Sequence, residues 1–268
     1  MLGTGHATVT ECYNACFVLR TSESALLVDG GGGNGILKQM KKAEIHLTEL
    51  TNIFVTHTHI DHLFGIVWIL RMMGEEMTGK NSTHNCTVYS HNKVLKVIKY
   101  LCRNTLSPIA WNNIQEKVKF QKVYDTQSVE IGENMSLQFF DMESCTETQY
   151  GFKACLSSGK TLVCLGDALY QEQLVSYVQD ADWLICESFC RDYDKEKFHP
   201  HELHHNTVLD VAIIAQQLGV KNLVLYHTED SMLSERKEHY IAEARRAYSG
   251  NIYAVSYTHL RAHETAAN

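Results

Sequence analysis

The segment Thr56-His57-Thr58-His59-Ile60-Asp61-His62 carries four metal-competent side chains within its last six residues. Imidazole nitrogens and a carboxylate with no neighbouring thiolate suit Zn²⁺, and less tightly Fe²⁺ or Mn²⁺. In so tight a loop, His57 and His59 can face one ion while Asp61 and His62 face another. Two distant residues have the chemistry to join them. Gly166-Asp167 offers a carboxylate whose two oxygens can bridge a pair of cations, and Tyr226-His227 offers one more imidazole. Histidine is abundant, at fifteen in 268 residues, and four of them fall within 199–205. Imidazole is also the side chain that exchanges a proton near neutral pH.

The elements that must position these groups follow from the apolar pattern. Phe17–Leu19 and Ala25–Val28 read as strands around a polar turn. Asp29-Gly-Gly-Gly-Gly-Asn-Gly35 then breaks the pattern. That run lacks a Lys-Ser/Thr ending and any dinucleotide spacing, so it reads as a turn and not as a phosphate loop. Ile36–Ala43 reads as helix, Asn52–Thr56 as a strand, and His57–His62 as the loop after it. Leu63–Met73 and Lys93–Leu101 have helical spacing. Val118–Gln121, Val129–Ile131 and Ser136–Phe140 are expected strands, and Thr161–Leu165 and Trp183–Cys186 buried ones. Thr207–Leu218 reads as a helix capped near Asn206, Asn222–Tyr226 as a strand, and Ser234–Tyr248 as a last helix. Loops 74–86 and 103–116 are expected to wall the pocket. Each metal-competent cluster follows an expected strand, where layered α/β folds gather their sites.

Charge and composition bound the function. The 24 Lys+Arg against 31 Asp+Glu leave a net charge of −7. The acidic balance argues against a broad nucleic-acid footprint, which is usually basic. With 44% hydrophobic and 21% charged residues, disorder, collagen and coiled coil are excluded. The longest apolar stretch, Ile66–Leu70, is far too short for a membrane span, and Met1–Gly5 has no signal-peptide character. Nine cysteines without a Cys-x-x-Cys pair read as reduced thiols of a cytoplasmic protein. Residues 255–265 read like one frame of a sequencing-library adapter. The expected domain is therefore 1–254, with 255–268 a non-native tail whose His259 and His263 receive no role.

The His-x-His-x-Asp-His run, the later Gly-Asp and the strand-end His resemble the signature of the metallo-β-lactamase superfamily. Leu2-Gly-Thr-Gly5, Ile185-Cys-Glu-Ser-Phe189 and His204-His-Asn-Thr207 resemble motifs of its ribonuclease Z branch. The resemblance implies an α/β fold, the αββα sandwich, with two mixed sheets flanked by helices. It implies a hydrolase with two Zn²⁺ per chain, Mn²⁺ or Fe²⁺ being alternatives. His57 and His59 would hold the first metal; Asp61, His62 and His227 would hold the second; Asp167 would bridge. Asp61 would also accept a hydrogen bond from the attacking water, His205 would protonate the leaving group, and Glu187 would orient His205. A homodimer is a further expectation from the branch.

Two departures from the branch shape the expected activity. The family's usual metal-binding His aligns with Glu143, so Glu143 is either a ligand or a bystander. As a ligand it would draw the site toward a harder ion. The long Gly/Pro-rich arm that clamps tRNA is missing between Tyr150-Gly-Phe152 and Gly166-Asp167, which argues against tRNA. The expected substrate is a small-molecule or nucleotide phosphodiester or related ester. The alternatives are thioesterase or lactonase chemistry, or a metal-binding protein whose catalysis is impaired at Glu143.

Overall fold

A computed structural model describes residues 1–76 and 85–254. In chain order the elements are β1 (Phe17–Arg20), β2 (Ala25–Val28), α1 (Gly35–Lys42), β3 (Asn52–Phe54), α2 (Ile60–Glu76), β4 (Cys86–Ser90), α3 (Asn92–Thr105), α4 (Pro108–Lys117), β5 (Val118–Lys122), β6 (Ser128–Glu130), β7 (Met135–Asp141), β8 (Tyr150–Leu156), β9 (Thr161–Cys164), α5 (Val175–Val178), β10 (Trp183–Glu187), α6 (Lys195–Phe198), α7 (Val208–Gln217), β11 (Asn222–Tyr226), α8 (Arg236–Ala244) and β12 (Asn251–Ala254). One sheet runs β1-β2-β3-β4-β5 and the other β12-β11-β10-β9-β8-β7-β6. Both are mixed. In the first, β1 is antiparallel to β2 and the remaining pairs are parallel. In the second, β9 to β12 run parallel and β6 to β9 antiparallel.

Side-chain alternation along each strand builds three apolar layers. Leu27 and Ile53 face the helices of the first sheet, among Ile66, Leu70 and Val94. Their strand neighbours Leu26, Val28 and Phe54 turn the other way and meet Phe139, Ile185 and Val224 of the second sheet. Leu184, Cys186, Leu223 and Leu225 face outward onto Val211 and Ala215 of α7 and Tyr240 of α8. Helices cover both outer faces, so the architecture is the expected αββα sandwich. The parallel strands β3, β9, β10 and β11 all end on the same edge, and their C-terminal residues lead into the functional loops.

Local structure departs from the sequence reading at definite places. Helix α2 begins at Ile60, so Asp61 and His62 stand on its first turn and not in a loop. The His59 carbonyl accepts the Leu63 amide at 3.0 Å, which starts the helix inside the histidine motif. Segment 103–116 is no pocket wall. Most of it is α3 and α4, and α4 is started by Pro108 behind a Ser107 cap and packs on α2. Of the other expected wall, 74–76 belong to α2, and 77–84 lie outside the described residues, as does the 255–268 tail. The cap of α7 is Thr207, in a capping box with Asp210, one residue after Asn206. The last helix is the shorter α8. Strands β4, β8 and β12 were not anticipated. No described helix is long and apolar enough to cross a membrane.

Candidate metal centre

The Asp29 turn fixes the base of the site. Asp29 is buried, in a left-handed backbone conformation at φ 57°. Its Oδ1 accepts the Thr56 amide at 2.8 Å, and its Oδ2 accepts the Thr56 hydroxyl at 2.9 Å. The same Oδ2 lies 2.8 Å from His62 Nδ1. The glycines that follow press against α2. Gly30 N–H donates to the His62 carbonyl at 2.7 Å and Gly65 N–H to the Gly31 carbonyl at 2.8 Å. A Cβ on Gly65 would stand 1.8 Å from the Gly30 carbonyl oxygen. Glycine is required there by contact, not by dihedral preference.

Three buried histidines turn their Nε2 edges inward; Nδ1 is hydrogen-bonded in His57 and His62, and in His227 it stands beside a carboxylate without hydrogen-bond geometry. His57 Nδ1 is 2.9 Å from Thr56 Oγ1, His62 Nδ1 is held by Asp29, and His227 Nδ1 lies 3.1 Å from Glu187 Oε2. The three Nε2 atoms surround Asp167 Oδ2 at 3.6, 3.5 and 3.6 Å respectively. His62 Nε2 and His227 Nε2 are also each 3.4 Å from Asp61 Oδ2. Atoms that share a tetrahedral ion at about 2.1 Å stand about 3.4 Å apart, so this spacing fits a divalent cation. His57 Nε2 and Asp167 Oδ1 are buried and have no hydrogen-bond partner among the described residues, which a cation would supply. Ligating histidines ordinarily carry such partners on the outer nitrogen. His57, His62 and Asp167 form one candidate group, and Asp61, His62 and His227 a second.

The electrostatics point the same way. Burial alone would raise the Asp61 carboxyl, but hydrogen bonds from His227 and His62 outweigh it and hold it far below the usual range. Burial likewise opposes ionisation of Asp167, and the facing His57 and His62 overcome it. Burial disfavours charge on His62, yet Asp167 and Asp29 lift it well above its ordinary value. His227, opposed by burial but bonded to Asp61 and Glu187, rises to about 9. Burial pushes His57 down to about 4 despite Asp167. The carboxylates therefore demand positive charge, and protons and divalent cations compete for the same nitrogens.

Residues 1–246 match the family described as anti-Pycsar protein Apyc1. The chain belongs to that family. This Apyc1-family chain also resembles ribonuclease Z of Methanosarcina acetivorans, at 23% identity over 94% of each chain. Among solved structures it is similar to the metallo-β-lactamase fold protein YhfI from Bacillus subtilis, with TM-score 0.76, 18% identity and 96% of each chain covered. It is similar as well to the short form of human tRNase Z, with TM-score 0.72, 20% identity and 96% of each chain covered. The family, the curated relatives and the fold place the chain in the metallo-β-lactamase superfamily, on its ribonuclease Z-like side.

The remaining residues named from the sequence fall at different depths around the Apyc1-family site. His59 is half exposed, lines the cavity, and stands edge-on to His57 at a ring separation of 4.4 Å. Glu187 is fully buried at the end of β10. Its Oε1 accepts the Asn206 amide at 2.9 Å, and its Oε2 sits 2.6 Å from His205 Nδ1. The structure thus brings His205 and His227 onto one carboxylate. Glu143 is not brought to the cluster. At φ 50° it turns outward, and its Oε2 accepts Gln173 Nε2 at 2.5 Å.

Several cavity residues escaped the sequence reading. The cavity measures about 380 Å³ and is lined by His6 and Cys145 as well as by His59, Asp61, Asp167, His205 and His227. Burial and the nearby His227 and His205 push His6 down to about 4. Its motif position, directly after Leu2-Gly-Thr-Gly5, was the available signal. By the family resemblance Asp29 starts a turn beside the metal site, and the structure adds its bonds to Thr56 and His62.

Proposed function

We propose that this chain is a metal-dependent phosphodiesterase acting on a small nucleotide phosphodiester. The observation that carries the reading is the convergence of His57, His62 and His227 Nε2 on Asp167 Oδ2 at 3.5–3.6 Å. These residues would hold a pair of divalent cations, Zn²⁺ by donor type, which would supply Lewis acidity and a water of lowered pKa. By the family pattern His57, His59 and Asp167 would hold the first ion, and Asp61, His62 and His227 the second, with Asp167 shared.

The protein's own groups handle the protons. Asp61, kept ionised by His62 and His227, accepts a hydrogen bond from the attacking water. His205 has Nδ1 fixed on Glu187 at 2.6 Å, which leaves Nε2 free to protonate the departing alkoxide. Glu187 positions both His205 and His227 and does not itself meet substrate.

Cavity size and charge argue for the substrate class. A volume of about 380 Å³ lies at the small end of the roughly 300–1,000 Å³ of small-molecule sites. It suits a mononucleotide, cyclic mononucleotides included. The net charge of −7 and the missing arm disfavour tRNA. The test is a panel of bis-p-nitrophenyl phosphate, cyclic mononucleotides of each base, S-lactoylglutathione, an acyl-homoserine lactone and a precursor tRNA. Metal-dependent turnover of bis-p-nitrophenyl phosphate and the cyclic mononucleotides alone is expected, and cleavage of the precursor tRNA would replace the small-nucleotide reading. Turnover confined to the thioester or lactone would replace the reading with the second hydrolase chemistry, and metal binding without turnover on any arm would replace it with a binding protein.

A further inference from the structure

We propose that Cys145, as the thiolate, is a protein ligand of the first metal position, in the place the family usually gives to histidine. This rests on the metal-site reading above. The segment joining β7 to β8 carries that position. Its base is closed by the Met142 amide on the Gln149 carbonyl at 2.9 Å. Asp141 Oδ1 accepts the Glu143 amide at 2.9 Å, and the left-handed Glu143 sends its carboxylate away to Gln173. Beyond that turn the chain doubles back, so that Ser144, Cys145 and Thr146 line the cavity with His59 and Asp167.

Two further observations support the assignment. Asp167 is only 6% exposed, faces the same cavity, and keeps Oδ1 without a hydrogen-bond partner among the described residues, as does the fully buried His57 Nε2. Those atoms need a cation; the donor atoms already within 4.8 Å of one another there are those of His57, His62 and Asp167, so the Cys145 side chain must close on the ion from the cavity wall it shares with His59 and Asp167. Cys145 Sγ is 3.6 Å from His204 Nδ1, on the wall of the same cavity. On binding, the thiol proton passes to bulk buffer and an S–metal bond forms; nothing is oxidised. A thiolate is soft, so the site favours Zn²⁺ over Mn²⁺, opposite to the hard-ion preference that Glu143 would have given. The other nearby carboxylate, Glu147, lies 3.5 Å from His59 Nε2 through Oε2, while its Oε1 accepts from Lys93 at 2.9 Å and from the Thr58 hydroxyl.

Cobalt substitution tests this without an activity assay. Full-length protein loaded with Co²⁺ should show a thiolate-to-cobalt charge-transfer band in the near ultraviolet. The band should vanish in Cys145→Ser and persist in Glu143→Gln. Cys145→His should restore the metal content of the wild type without the band. Alkylation mapped by mass spectrometry supplies a second readout with an internal control, because Cys145 and Cys155 are both exposed. Zn²⁺ should slow modification of Cys145 several-fold and leave Cys155 on β8 unchanged. Full cobalt loading with no band, or equal alkylation of the two thiols with and without Zn²⁺, overturns the assignment but leaves the metal site standing. A metal content that falls in Glu147→Gln and not in Cys145→Ser gives the position to Glu147. No metal binding by the wild type overturns the site itself.

Discussion

Asp29 Oδ2 and His62 Nδ1 are 2.8 Å apart in the interior, and this contact couples the glycine turn to the orientation of a metal-facing imidazole. The same carboxylate holds Thr56, whose hydroxyl in turn meets His57 Nδ1. One side chain, far from any exposed surface, therefore sets the rotation of two rings.

Asp29→Ala should consequently weaken metal binding by about 10–100-fold, the range for loss of an outer-shell partner. It also strands the buried Thr56 amide, at a stability cost of about 1–3 kcal/mol. Chelator competition and urea unfolding measure the two effects separately. An unchanged affinity would mean that His62 is oriented by its own packing.

Gly65→Ala should be more damaging than any loop change nearby. The added carbon would overlap the Gly30 carbonyl oxygen, and helix α2 carries Asp61 and His62. A loss of about 3 kcal/mol or more is expected. Gly33→Ala, where a Cβ meets nothing within 4 Å, should stay within about 0.5 kcal/mol. Thermal or urea unfolding of the pair decides the matter, and equal stability of the two variants would contradict the close approach.

Much of this arrangement was legible in the sequence, for physical reasons. Strands β2, β10 and β11 are short apolar runs buried on both faces, and the metal-facing His57, Asp167 and His227 follow the ends of β3, β9 and β11. Strand β8 was not legible because Gly151 and Lys153 interrupt its pattern; Gly151 is there because a Cβ would meet Phe140 at 2.5 Å. Helix α4 buries only Ala110 and Ile114, too few positions to show a period. Whether Glu143 reaches the cluster was beyond sequence spacing alone. The φ 50° turn at that residue, which carries Cys145 into the cavity instead, appears only in three dimensions.

His205→Ala should lower kcat by about 10²–10⁴-fold on a substrate that leaves as a ribose alkoxide. It should cost far less on bis-p-nitrophenyl phosphate, whose phenolate needs no proton, and metal content should be unchanged. Glu187→Gln should follow the same leaving-group pattern, with some loss of metal through His227. Equal losses on both substrates would remove the proton-donor role from His205.

Stability should fall in mild acid through His91. It is buried, lies beside the Tyr150 ring at 5.5 Å, and burial lowers its pKa, an effect only partly offset by Glu147 and Asp141. Its folded value lies below its unfolded one, so the unfolded chain takes up the proton first. Stability is then lost as pH falls below about 6.5 and retained above it. Urea midpoints at about pH 7.5 and about pH 5.5 should differ more in the wild type than in His91→Phe. Equal differences would assign the acid sensitivity elsewhere.

The central claim is that Asp167 gathers the histidines around divalent cations, and metal content tests it most directly. Protein stripped by chelation, equilibrated with Zn²⁺ and desalted should carry two ions per chain by mass spectrometry. Asp167→Ala should retain at most one ion per chain and lose hydrolysis of bis-p-nitrophenyl phosphate. A wild-type chain that emerges without metal, or an Asp167→Ala chain that keeps both ions, would contradict the account.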